Sequence, residues 1–360
     1  MLKKFGVLAL ALAMGGMLAL NSVAEAKGFT HLSFMGSYVE RHPTTLNAFN
    51  PFNEAAKKAF PGKNGLSFDY FSNNHLCPEP EVPAAVADGR LDFGCIRPAV
   101  YPGQMNLLSV VALPGMCPNA IVGSLVTEEL FEKFPAVHAE FPKNTVHFTA
   151  WASASYQFHT IMPVKNAEEL KGKKIIVWDA TTMEMAKAMG CVPIRMTSQD
   201  TYLALSKGMG DGVLCPLAPL RSYKITEATK HHLILDVAVN TFIMQVNGDL
   251  WNDMPDDMKK WLKENGGMTY ALKAGQTLED GAKVDIKWMK DQGHQFYYAT
   301  AEERAAALAP MASFVEDWKN NECKGMDPKL VEEVLAFARE RSKFHTEQFN
   351  AGVYGDYKVN

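Results

Sequence analysis

Cysteine is sparse in this chain and scattered. Cys77, Cys95, Cys117, Cys191, Cys215 and Cys323 are the only six among 360 residues, and no two form a Cys-x-x-Cys pair. That spacing excludes a zinc ribbon and a thioredoxin-type redox motif. Buried free thiols are the commoner state in a chain long enough to fold without bridges. If a bridge forms, Cys191 with Cys215 is the first pair to examine, since both fall near strand ends in one half of the chain.

Positive charge is not in excess either. Thirty-six lysines and arginines face 40 acidic residues, for a net charge of −4. No basic stripe with interleaved aromatics occurs, so nucleic acid is not an expected partner. His-Glu-x-x-His, Gly-x-Ser-x-Gly and the phosphate-loop pattern are all absent, and the glycine turns "GKNG" and "GMGDG" lack the helix context that phosphate binding needs. The sequence therefore predicts no catalytic residue, no metal and no cofactor.

Long apolar runs are confined to the first residues. Lys3 and Lys4 precede a run from Phe5 to Leu20, and Ala24-Glu25-Ala26 places small residues where a signal peptidase reads. Residues 1–26 are expected to be a cleaved signal peptide and the mature chain periplasmic. Losing two lysines and one glutamate makes it one charge more negative.

The rest alternates strands and helices. "FTHLSFMGSY", "GLSFDYFS" and "LDFGCIRP" read as strands separated by helices over Asn50–Phe60 and "EPEVPAAVADGR". The pattern recurs with "TVHFTAWAS", "KKIIVWD", "VPIRM" and "DGVLC", and Thr181 and Ser198 read as N-caps of the intervening helices. From Met254 onward long helical patterns take over. The expected fold is α/β with two lobes around a cleft and long bracing helices.

Four segments carry a family resemblance. "PEPEVPAAVADGRLDFG", "NAEELKGKKIIV", "GCVPIRMTSQDTYLALSKGMGDGV" and "VNGDLWNDMPDDMKKWL" occur in the order, and with the character, of corresponding segments in TRAP-transporter solute-binding proteins of the DctP type. None is specific alone; four in register are. The resemblance implies a type II-like periplasmic binding protein fold. It also implies a receptor without a catalytic step, expected to be monomeric, that passes a small organic solute to two integral membrane permease subunits. A ligand-sensing protein coupled to a signalling receptor is the rival reading. Lobe I is expected over residues 27–150 and 240–282, and lobe II over 151–239 and 283–345. Residues 346–360 form a tail, with hinges near Ala150–Trp151 and Val239–Thr241.

One departure bears on the ligand. Where the family usually carries a carboxylate-binding arginine in "KKIIV", this chain has Ile176. The expected ligand-binding set is Tyr38, Glu79, Arg97, Trp151, Tyr156, Trp178, Asp179, Arg195 and Cys215. Arg97 and Arg195 end strands and could hold a displaced anion contact. Glu79 and Asp179 could instead grip an amine, although each also suits a helix start. Trp151, Tyr156 and Trp178 offer flat walls for a ring or a cation. The solute is thus an organic acid on one reading and an amine or zwitterion on the other.

Overall fold

The computed structural model describes residues 28–72, 75–101 and 103–357. The expected signal peptide lies outside the described residues. Eleven strands form two sheets: β1 Phe29–Met35, β2 Leu66–Phe71, β3 Phe93–Ile96, β4 Thr145–Ala152, β5 Tyr156–Thr160, β6 Lys174–Val177, β7 Val192–Arg195, β8 Gly212–Pro216, β9 His231–Ile234, β10 Thr241–Asn247 and β11 Gln295–Tyr298. The first sheet runs β2-β1-β3-β10-β4 and the second β11-β9-β5-β8-β6-β7. In the first, β1 is parallel to β2 and β3, while β10 enters antiparallel between β3 and β4. In the second, β6 is parallel to β7 and β8, and β5 is antiparallel to β8 and β9.

The chain crosses between sheets twice in adjacent strands. The Ser153 N–H donates to the Asn240 carbonyl at 2.8 Å, the Tyr156 N–H to that of Ala238 at 2.8 Å, and the Val237 N–H returns to that of Tyr156 at 3.1 Å. The Gln157 amide oxygen accepts from the N–H groups of Leu235 and Asp236 at 2.7 and 2.9 Å, so residues 235–240, which lie in neither sheet, stay paired with the neighbouring chain. Trp151 sits inside β4, two residues short of this crossing.

Helices brace the two halves. Gly267–Asp291 packs along Ala120–Lys133 and against β4, with Tyr270, Ala274 and Leu278 in the first sheet's core and Ala282 and Met289 in the second's. Gly275 permits this approach, because a Cβ there would lie 2.8 Å from the Ile121 Cα. The C-terminal helix Pro328–Asn350 is tied to the same layer by Arg341, whose guanidinium donates to both Glu129 oxygens at 2.7 and 2.8 Å. The first sheet's core is strongly aromatic, with Phe34, Phe52, Phe68, Phe93 and Phe148 in edge or tilted contact. All six cysteines are buried and unpaired, so the Cys191–Cys215 bridge does not form. Among the described residues no helix is long and apolar enough to cross a membrane.

Three buried histidines stitch the second sheet together. His159 Nε2 meets the Cys215 carbonyl at 3.0 Å, His159 Nδ1 meets His232 Nδ1 at 2.8 Å, His232 Nε2 meets His294 Nδ1 at 2.8 Å, and His294 Nε2 meets Lys230 Nζ at 3.0 Å. A carbonyl only accepts and an ammonium only donates, which fixes every role when all three rings are neutral. Lys230 donates to His294, His294 to His232, His232 to His159, and His159 to the carbonyl. Burial is the main force holding these imidazoles below the ordinary histidine range, at about 3 for His159, 2 for His232 and 4 for His294. An unfolded histidine takes up its proton near 6.5. The stability contributed by each neutral ring is therefore present above about pH 6.5 and lost progressively as pH falls. In an NMR titration from pH 8 to 5 the ring C–H signals of His159, His232 and His294 are expected to stay at their neutral positions. Midpoints between 6 and 7 would contradict the chain.

Candidate solute-binding cleft

A cavity of about 60 Å³ lies between the sheets. Ser37, Tyr38, His42, Arg97 and Phe242 line it from first-sheet elements, and Tyr156, Trp178, Gln199, Pro216 and Tyr223 from second-sheet elements. Most of these follow or end strands, the position at which open α/β sheets present ligand-contacting side chains.

Arg97 reaches the cavity because of its neighbours. It directly follows β3, and Pro98 disfavours helical geometry at the preceding residue, leaving Arg97 extended at φ −107°, ψ 109°. Its guanidinium does not stand free. Nε and Nη2 each donate to one oxygen of Glu79, with Nη2–Oε2 at 2.6 Å. Burial pulls the guanidinium pKa down, but the hydrogen bonds and charge of Glu79 outweigh burial and leave it above the ordinary arginine value. Glu79 is buried and heads the short 3₁₀ turn Glu79–Glu81. The pair is bidentate and nearly neutral, with unused N–H donors still on Arg97.

The aromatic walls are anchored individually. The Trp178 indole N–H donates to Thr201 Oγ1 at 2.9 Å, and its ring meets Tyr223 edge-on at 6.2 Å. Tyr38 stacks on His42 with centroids 3.8 Å apart and tilts against Phe242 at 5.1 Å. His42 Nδ1 accepts the Thr44 N–H at 3.2 Å, so in the neutral ring Nε2 carries the proton, and Nε2 has no partner. Burial lowers the His42 pKa to about 3 and keeps that ring neutral. The Tyr38 hydroxyl is buried and unpartnered too, and burial raises its pKa.

Asp179 caps the helix Ala180–Ala188. Its Oδ1 accepts from the Thr182 N–H at 2.8 Å in a reciprocal capping box, so Thr181 is not the cap. The next helix, Ser198–Ser206, is capped by Thr197 rather than Ser198. Asp179 lines a second, water-sized chamber of about 10 Å³, whose wall Tyr156 shares with the main cavity.

Of the nine residues expected from sequence, Tyr38, Arg97, Tyr156 and Trp178 meet in the cavity. Glu79 stands behind Arg97 and Asp179 lies in the adjoining chamber. Three others lie elsewhere. Trp151 is buried beneath the floor, stacked on Phe242 at 5.6 Å. Cys215 is fully buried on the opposite strand face from the cavity, in a core cluster with Ile176 and Val213, and burial pushes its thiol pKa well up. Arg195 is exposed on β7, an edge strand paired only with β6. Sequence reasoning missed Ser37, His42, Gln199, Tyr223 and Phe242. Ser37 could have been found, because it follows β1 as Arg97 follows β3.

A contact beside the cavity joins the two halves. The Arg41 guanidinium, in the connection after β1, donates to the Ser222 carbonyl beyond β8, with Nε–O at 3.1 Å. Replacing Glu79 by alanine should cost about 3–5 kcal/mol, since it leaves the Arg97 charge buried without its partner. Urea denaturation measures this, and a loss under 1 kcal/mol would show that the pair is not a structural element of the wall.

Comparison with known proteins agrees with this geometry. Over 146 residues the chain is 28% identical to the C4-dicarboxylate-binding periplasmic protein DctP of Rhodobacter capsulatus; the alignment covers 40% of this chain and 44% of that relative, less than half its length. The fold matches a TRAP solute-binding protein from Rhodoferax ferrireducens solved with copurified benzoate, with TM-score 0.79 and 22% identity over 88% of this chain and 98% of that one. It also matches a TRAP periplasmic solute-binding protein from Bordetella bronchiseptica with bound (R)- and (S)-mandelate, with TM-score 0.76 and 22% identity over 88% and 99%. A sequence profile described as bacterial extracellular solute-binding protein, family 7 (DctP), matches residues 35–321, and the chain belongs to that family.

Proposed function

We propose that this chain is the extracytoplasmic receptor of a TRAP transporter. It captures a small organic solute between its lobes and delivers the solute to two integral membrane permease subunits. The cavity is the observation that carries this reading, because both sheets contribute its walls and neither half encloses it alone. Solute contacts made only when both walls are close favour the closed arrangement. The lobes are residues 27–150 with 240–282, and 151–239 with 283–345. The solute lies against Tyr38, Arg97, Tyr156 and Trp178. The leader at residues 1–26 directs the chain to the periplasm, where it acts as a monomer. Fold relatives holding benzoate and mandelate support an organic solute of similar size.

A thermal-shift screen of protein refolded free of carried-over solute tests this reading. A true solute at 100 times its dissociation constant adds about 2.7 kcal/mol of stability. It should also be recovered chemically unchanged after prolonged incubation. Turnover of the bound compound, or no stabilisation by any acid, amine or zwitterion, would contradict the receptor function.

A further inference from the structure

Asp179 has one oxygen without a partner. Oδ1 accepts from both the Thr182 N–H and the Thr182 hydroxyl at 2.8 Å, whereas Oδ2, on a residue only 2% exposed, has no hydrogen-bond partner. A carboxylate can only accept, and a buried polar atom left unsatisfied costs free energy that some contact normally offsets. Asp179 lines the small chamber that adjoins the main cavity at Tyr156. The nearby cation is Arg97, whose pKa senses the Asp179 charge but whose guanidinium is committed to Glu79.

We propose that the solute is an organic ammonium compound, an amine or an amino-acid-like zwitterion, whose N–H groups complete Asp179 Oδ2 while its body lies against Trp178 and Tyr156. The inference rests on the receptor reading above and names the chemical class of its solute. An ammonium group supplies the donor that Asp179 Oδ2 lacks and pairs with its carboxylate, and aromatic faces favour cations. In the main cavity the His42 Nε2–H and the unused Arg97 donors suit an acceptor on the same molecule, which favours the zwitterion. A carboxylate with no amine would bring a second unpaired negative charge toward Asp179.

The test uses matched solutes in calorimetry at pH 7: phenylglycine, benzylamine and mandelate on an aromatic frame, and leucine, isopentylamine and 2-hydroxyisocaproate on an aliphatic one. In at least one series an ammonium member should bind at least 100-fold more tightly than the hydroxy acid, and Asp179→Asn should abolish that preference. Asparagine caps helices as well as aspartate does, so the variant's Tm should stay within a few degrees of wild type and the lost preference then reports charge, not folding. Tighter binding of the hydroxy acid would overturn the proposal, as would ammonium affinity unchanged in Asp179→Asn. If the wider screen finds only anionic solutes, the receptor reading stands and this one falls. If it finds no solute, both fall.

Discussion

The arrangement depends on the paired crossing at 153–156 and 237–240, where one segment passes from the first sheet to the second and the other returns while hydrogen-bonded to it. Backbone polar groups away from a sheet need partners, and here each segment supplies them to the other. Two sheets joined in this way can change their relative angle by small dihedral adjustments without breaking either sheet. The long helix Gly267–Asp291 limits the movement by spanning both halves. The cavity between the sheets has Arg41 from one half and the Ser222 carbonyl from the other beside it.

Within that opening, the Arg97–Glu79 pair sets the electrostatic character. An unpaired arginine would make the wall an anion site; a bidentate partner makes it a rigid, nearly neutral surface with a few directed donors. Ile176 adds no charge, being wholly buried in the second sheet's core. The chain shares its fold with relatives solved with benzoate and mandelate.

Much of the fold was legible from sequence, because period-two strands punctuated by glycine and proline identify themselves; β5, β10 and β11 were not marked, and the antiparallel places of β5 and β10 were not expected. The site was half legible. Arg97 and Tyr38 are positioned by strand ends, which sequence marks well. Residues inside strands were harder, because a shift of one position exchanges the two faces of a sheet. Cys215 and Pro216 are adjacent, yet only Pro216 lines the cavity. Arg195 closes a strand as Arg97 does, but β7 lies at the sheet's edge, and strand order is not written locally in the chain. Trp151 fell within its strand and joined the aromatic core. The helix caps were each misplaced by one or two residues, since "WDATT" and "MTSQD" offer several capable side chains in a row.

The central claim is that two lobes close on a solute, and distances between lobes test it most directly. Spin labels at exposed Lys57 in the first half and Lys187 in the second report that separation by double electron–electron resonance. The account predicts a broad or two-component distribution for the solute-free protein, collapsing to one shorter distance when the tightest-binding solute saturates it. A single distribution unchanged by a solute that demonstrably binds would contradict closure and leave the cavity a fixed pocket.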